Sequence, residues 1–260
     1  MSPCRLPSDF AAHFQIANAA GRFDEAREFA ERIERAGVRL RPNLDHAAIF
    51  TDPPHLVAGP LKRLGYVSGW DARCYPSPVD GQDYINVSAR LAEDSLRRAE
   101  GWFDYAAVVH PVDPAARDHM LGQGYGNPFI HHLTWGIVPP DRAGATDAQF
   151  AGALVRFMAG VRQAIAGATG ERPGTLILAV PPDLVGEVGR QAPEWVGGLG
   201  GEPYQVEPME GGGFLLQFFV LTGGRIEVAL RVGTRQTFNP RSVQKISRDE
   251  ISAVQSRSAM

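Results

Sequence analysis

The sequence predicts an α+β fold made of two βαβββ modules, with a helical extension before the first module. Strand-like and helix-like segments follow one another in the order β-α-β-β-β over residues 43–110, and a similar order restarts at Phe129. The chain has 260 residues, 44% of them hydrophobic, which is enough to form the core of one large domain or two small ones. Its 29 glycines and 20 prolines indicate many turns between short elements.

The predicted N-terminal extension spans residues 1–42 and carries apolar residues at helical spacing from residue 8 to residue 36. Ser8 is a suitable N-cap residue, and Gly37 suits the position just after the last helical turn. We expect a helical pair that has no catalytic role.

The first module, together with the linker that follows it, is predicted to span residues 43–127. The glycine-rich segment Gly122–Gly126 does not lead from a strand into a helix, as a phosphate-binding loop does, and it is interpreted as the linker. The predicted elements are a strand at 43–50, a helix at 53–64, strands at 66–75 and 83–91, a short helix at 92–100 and a strand at 103–110.

The second module is predicted to span residues 128–238 and to be followed by a tail at 239–260. Its elements are a strand at 129–138, a helix at 147–168 and strands at 204–207, 213–221 and 225–232. The strand-helix segment 174–195 does not fit a plain repeat. Either it is an insertion, or it is the true start of the second module, in which case the strand at 129–138 is an extra element.

The charge pattern excludes several classes of partner. The formal net charge is −3, and no basic stripe or polybasic segment suggests nucleic acid or an anionic membrane. No apolar run approaches the roughly 20 residues of a membrane span, and the N-terminus lacks the apolar region of a signal peptide. Cys4 and Cys74 are the only cysteines, and they are far apart and not in a CxxC pair. A disulfide framework is therefore not expected, and a reducing compartment is the default. We expect a cytoplasmic protein and leave a homodimer open.

Three strand-like segments each carry one potential metal ligand: His46, His132 and Glu227. Two imidazoles and one carboxylate are the ligand set of non-haem Fe(II) sites with open coordination positions. Glu227 lies in an apolar strand, where a carboxylate is rare unless it is paired or bound to a metal. Two alternatives stay open: His131 replaces His132 if the strand register shifts by one residue, and Glu227 pairs with a neighbouring arginine on an edge strand.

Several segments resemble proteins of the vicinal oxygen chelate (glyoxalase/bleomycin-resistance/dioxygenase) superfamily. Asn43-Leu-Asp-His-Ala-Ala-Ile-Phe50, followed by Leu61-Lys-Arg-Leu-Gly-Tyr66, resembles the opening of one such module. Ile130-His-His-Leu-Thr-Trp-Gly-Ile137 resembles the same strand in a second module. Gly213-Phe-Leu-Leu-Gln-Phe-Phe219, followed by Arg225-Ile-Glu-Val-Ala-Leu-Arg231, resembles the end of the 4-hydroxyphenylpyruvate dioxygenase branch.

The resemblance implies a curved mixed sheet around a metal site, with Fe(II) held by His46, His132 and Glu227. It also implies that Gln217 is a catalytic side chain that faces the substrate. The implied activity is that of an iron-dependent dioxygenase, an oxidoreductase whose small acidic or aromatic substrate chelates the metal through two atoms while O₂ is activated.

Two other functions compete with the dioxygenase. A lyase, isomerase or epimerase of the same superfamily would use Zn²⁺, Mn²⁺ or Ni²⁺ to polarise an enediolate. Such sites usually recruit a fourth protein ligand, for which the sequence offers no clear candidate. In a metal-free binding protein of the drug-sequestering type, His46 and Glu227 would be incidental.

Overall fold

The protein is described here by a computed structural model. It describes residues 16, 19–53, 55–76, 83–92, 94–98, 100, 102–103, 105–122, 124–138, 140–169, 176–193, 204–208, 215–222, 226–232 and 244–245. In several of these strands, among them those at 204–208, 215–222 and 226–232, only the backbone is described.

The helices and strands follow the order that the sequence predicts, with differences noted below. They are α1 (Ala19–Arg35), β1 (Leu40–Phe50), α2 (His55–Arg63), β2 (Tyr66–Pro76), β3 (Asp83–Leu91), a 3₁₀ turn (Leu96–Arg98), β4 (Tyr105–Pro111), α3 (Pro114–Gly122), β5 (Phe129–Ile137), α4 (Asp147–Thr169), β6 (Leu176–Val180), α5 (Pro182–Gln191), β7 (Tyr204–Pro208), β8 (Leu215–Thr222), β9 (Ile226–Val232) and β10 (Gln244–Lys245). None of the described helices is long and apolar enough to cross a membrane.

Helix α1 ends at the glycine that the sequence indicates. Gly37 has φ +94°, a conformation that glycine adopts without a steric penalty. Its backbone N–H donates to the carbonyl of Glu34, and the N–H of Val38 donates to the carbonyl of Ile33. These two bonds form a Schellman motif, which satisfies carbonyl groups of the last turn. Of the predicted preceding helix, which begins near Ser8, the structure describes the buried Ile16, and residues 8–15 lie outside the described part.

The contacts divide the described residues into two units. The first comprises Pro42–Thr134 with the described parts of Met1–Arg27 and Ser242–Met260, and the second comprises Glu28–Arg41 with the described part of Trp135–Arg241. In the first unit the strand order is β10-β2-β3-β4-β1-β5. Strands β1 and β4 are parallel, whereas β2–β3 and β3–β4 are antiparallel, so the sheet is mixed. This arrangement confirms the α+β class and is consistent with the vicinal oxygen chelate fold.

Two details of the first unit differ from or add to the prediction. In the described part of 92–100 the predicted short helix is a 3₁₀ turn at Leu96–Arg98, and the segment before the glycine-rich linker, for which no element is predicted, forms the helix α3. The side chain of Asp113 accepts a hydrogen bond of 2.8 Å from the N–H of Ala115, and Pro114 occupies the first helical position. An N-cap aspartate followed by proline is a helix-start signal that the sequence analysis did not use.

The described residues of the strand-helix segment at 174–195 lie in the second unit. Its strand order is β9-β8-β6-β7, and β6 is antiparallel to β8 but parallel to β7. Strand β8 thus lies between β9 and β6, as β3 lies between β4 and β2 in the first unit. Strand β6 therefore takes the place of a second strand, and the inserted elements are α5 and β7.

Candidate metal centre

Strands β1 and β5 bring two predicted ligands together. The Nε2 atom of His46 lies 3.2 Å from the Nε2 atom of His132, and the two rings meet edge to face at 80°. Both residues are buried, with 4% and 5% of their surfaces exposed. The side chains converge because β1 and β5 are neighbours in the first unit's sheet.

The position of the His46 ring follows from the strand pairing. Tyr105 is its partner in the parallel β1–β4 register, and the two rings stack with centroids 4.2 Å apart and an angle of 23°. Two residues further along β1, Ala48 packs against Ala107 and Val109 of β4. Since alternate residues of a strand share a face, the polar pair lies beside a small apolar cluster on one face of the sheet.

The separation of the two Nε2 atoms fits a metal ion. Metal–nitrogen bonds of about 2.1 Å that meet at an angle of about 100° place two imidazole nitrogens about 3.2 Å apart. Burial, and then the neighbouring imidazoles of His131 and His46, hold the pKa of His132 well below its usual value of 6.5. A neutral imidazole is the form that binds metals. The two side chains are thus suited to adjacent coordination positions.

Each of the two histidines contacts the residue just before it through its other ring nitrogen. The Nδ1 atom of His46 lies 2.9 Å from Oδ2 of Asp45, and the Nδ1 atom of His132 lies 2.8 Å from Nδ1 of His131. The sequence shows that such partners are required but does not identify them. His131 is only partly buried and contacts His132 from the side away from His46.

Thr134 is a further polar residue at this point, and sequence reasoning missed it. Its hydroxyl oxygen lies 3.0 Å from Nε2 of His46, and the residue is fully buried. Thr134 follows His132 by two residues on β5, so alternation places the two side chains on one face. That spacing is the signal that would have identified it.

The two remaining predicted site residues lie on strands of the second unit. The backbone of Glu227 on β9 pairs with Leu221, and that of Gln217 on β8 pairs with Arg231 and Ile177. The side chains of Glu227 and Gln217 lie outside the described part of the structure. Among the described side chains, no group of three or more His, Cys, Asp or Glu residues could hold a metal ion.

His110, near the end of β4, belongs to a different polar cluster. It is buried, and its Nδ1 atom lies 3.4 Å from the carbonyl oxygen of Thr51 and 3.8 Å from Oδ1 of Asp52. Asp52 also faces Arg117 of α3, whose Nε atom is 3.7 Å away. Burial lowers the pKa of His110, and Asp52 partly opposes that shift.

Comparisons with known proteins give distant structural similarities. No protein-family model and no curated protein matches the chain. Among solved structures, a mutant of 4-hydroxymandelate synthase from Streptomyces coelicolor is similar, with a TM-score of 0.43 and 16% identity over 78% of this chain and 52% of that one. A xylose isomerase-like TIM barrel/4-hydroxyphenylpyruvate dioxygenase fusion protein has a TM-score of 0.38 and 12% identity over 85% of this chain and 29% of that one. This chain therefore covers about half of the first structure and under a third of the second.

Proposed function

We propose that this protein is a non-haem Fe(II)-dependent dioxygenase in which His46 and His132 are two of the metal ligands. The observation that carries the proposal is the 3.2 Å separation between the Nε2 atoms of two buried histidines on different strands. A single metal ion can bind both nitrogens at once, because their separation is that of two ligands in adjacent coordination positions.

We propose Glu227 as the third ligand. It is the acidic residue of the strand Ile226-Glu-Val-Ala-Leu-Arg-Val232, which is otherwise mainly apolar. Two histidines and one carboxylate leave coordination positions open, as a site that takes both a substrate and O₂ requires. When bound there, Fe(II) supplies a redox-active centre that a substrate with two suitably spaced oxygen atoms can chelate.

The surrounding side chains support a small acidic or aromatic substrate. Tyr105 is half-buried, stacks on His46 and packs against the small side chains of Ala48 and Ala107. An aromatic wall beside the metal ligands suits stacking with an aromatic group. The buried hydroxyl of Thr134 can donate a hydrogen bond to an oxygen atom at the site, and we propose that Gln217 also contacts the substrate.

The deciding experiment combines metal analysis with O₂ uptake on protein purified without oxygen. We expect stoichiometric iron in the wild-type protein and O₂ consumption that depends on an added α-keto acid or catechol-type substrate. His46→Ala and Glu227→Ala should lose iron, while His119→Ala on the exposed surface of α3 should retain it. Tight binding of Zn²⁺ or Ni²⁺ without O₂ uptake would instead indicate a lyase or isomerase. A wild-type protein that binds no metal would exclude both enzyme classes.

A further inference from the structure

We propose that Asp45 and His131 are positioning residues, each of which sets the tautomer of the histidine that follows it. The inference rests on the proposed metal site and concerns the hydrogen bonds that the Nδ1 atoms of its two histidines form. Asp45 contacts Nδ1 of His46, and His131 contacts Nδ1 of His132. In both pairs the Nε2 atom is left to face the other ligand histidine.

The contact with Asp45 determines the state of His46. An ionised carboxylate can only accept hydrogen bonds, so the proton of a neutral His46 ring lies on Nδ1. The Oδ2–Nδ1 distance of 2.9 Å is that of a charge-assisted hydrogen bond. The Nε2 atom of His46 then carries no proton, and it faces His132 and Thr134.

The hydrogen bonds of the metal-free protein follow from that first assignment. With no proton on Nε2 of a neutral His46, the 3.2 Å contact is a hydrogen bond when His132 donates from its own Nε2. The Nδ1 atom of a neutral His132 is then an acceptor, so His131 must donate to it from Nδ1 across 2.8 Å. Hydrogen bonds therefore run from His131 to His132, from His132 to His46, and from His46 to Asp45.

Metal binding requires one of these hydrogen bonds, that between His131 and His132, to reverse its direction. His132 can become a ligand only after its single proton leaves Nε2 and appears on Nδ1. That Nδ1–H then donates to His131, whose own proton moves from Nδ1 to Nε2. Each imidazole keeps one proton throughout, and His46 keeps its tautomer. Asp45 thus accepts from Nδ1–H of His46 with and without metal. His131 instead donates to Nδ1 of His132 without metal and accepts from it with metal.

The two partners differ in strength. Asp45 offers a charged acceptor and His131 a neutral one, so the bond to Asp45 is the stronger of the two. Loss of a partner behind a ligand histidine typically weakens metal binding about 10- to 100-fold. We therefore expect a larger loss when Asp45 is removed than when His131 is removed.

The first test is the affinity for Zn²⁺, measured by competition with a chelator, which requires neither O₂ nor a substrate. Asp45→Ala and His131→Phe should weaken Zn²⁺ binding about 10- to 100-fold. His131→Gln should remain close to wild type, because the amide oxygen can accept from Nδ1–H of His132. Asp24→Asn on α1 and His119→Gln on α3 alter exposed residues and serve as matched controls. Thermal unfolding of each variant shows whether it is folded.

The second test reads the tautomers directly from long-range proton–nitrogen NMR spectra of ring-labelled protein. Without metal, His46 should be protonated on Nδ1 and His132 on Nε2, and with Zn²⁺ the proton of His132 should appear on Nδ1. A metal-free His46 protonated on Nε2, or Zn²⁺ affinities equal to wild type in both Asp45→Ala and His131→Phe, would overturn the inference.

The outcomes separate this inference from the proposed function. If Zn²⁺ binding and the tautomers behave as expected but iron and O₂ uptake are absent, the dioxygenase proposal fails and the positioning roles stand. If iron-dependent O₂ uptake persists in folded Asp45→Ala and His131→Phe with unchanged metal affinity, the positioning roles fail and the dioxygenase stands. A wild-type protein that does not bind Zn²⁺ or iron would overturn both.

Discussion

The side chain of Asn127 forms hydrogen bonds with both the backbone N–H and the backbone carbonyl of Asp52. The N–H of Asp52 donates to Oδ1 of Asn127 across 3.0 Å, and the Nδ2 group of Asn127 donates to the carbonyl oxygen of Asp52. Asp52 follows the end of β1, and Asn127 precedes the start of β5. One side chain therefore joins the two strands that carry His46 and His132.

Replacing Asn127 should loosen this connection. In Asn127→Ala both hydrogen bonds are lost, and we expect the free energy of unfolding to fall by about 1–2 kcal/mol. Urea denaturation measures the loss, and the Zn²⁺ affinity of the same variant shows whether it reaches the two histidines. Asn127→Asp keeps the acceptor but loses the donor, so its loss of stability should identify the contribution of the donor bond. An Asn127→Ala protein as stable as wild type would show that these two hydrogen bonds contribute nothing to the free energy of unfolding.

The stacked ring of Tyr105 should stabilise the orientation of His46. Aromatic pairs contribute about 0.5–1.5 kcal/mol beyond the area they bury. Tyr105→Leu should therefore weaken Zn²⁺ binding by about two- to tenfold, which corresponds to that energy, while Tyr105→Phe should bind like wild type. Chelator competition provides the affinities. Equal weakening in both variants would assign the effect to the tyrosine hydroxyl instead of the ring.

The hydroxyl of Thr134 provides a test of substrate orientation. Valine has nearly the shape of threonine, so Thr134→Val should keep the packing of this fully buried position and also keep the metal. Under the proposed function, substrate-dependent O₂ uptake should fall about tenfold, as is typical when one hydrogen bond worth about 1.4 kcal/mol is lost. Thr134→Ser retains the hydroxyl and should retain most of the activity. Loss of bound iron in Thr134→Val would show that the hydroxyl acts on the metal site itself.

His110 should make the stability of the protein dependent on pH. Burial lowers the pKa of His110 below its usual value of 6.5, so the unfolded chain takes up a proton before the folded protein does. The free energy of unfolding should therefore decrease as the pH falls from about 6.5 towards the lowered pKa, and should regain this contribution above 6.5. The free energy of unfolding of wild type and of His110→Gln is measured by denaturation at pH 8 and at pH 5. The variant should lack the part of the decrease that is due to His110. A decrease of the same size in both proteins would contradict the assignment.

Local patterns in the sequence predicted most of the fold and part of the candidate site. Alternation along β1 and β5 placed His46 and His132 on strands, and Gly37 marked the end of α1 at a residue with φ +94°. These signals act over a few residues and so can be read without knowing the rest of the molecule. The roles of Glu227 and Gln217 stay predictions.

Only the tertiary structure decided how the strands are paired and which side chains contact the Nδ1 atoms of His46 and His132. The place of β6 beside β8 depends on contacts between residues about 40 apart in the chain, which no local pattern encodes. The contacts of Asp45, His131 and Thr134 depend on side-chain orientation, because a nearby residue reaches a ring nitrogen only in some rotamers. The sequence by itself determined which residues could bind a metal; the packing of β1 against β5 decided that His46 and His132 meet through Nε2, since only folding brings residues 86 apart within 3.2 Å.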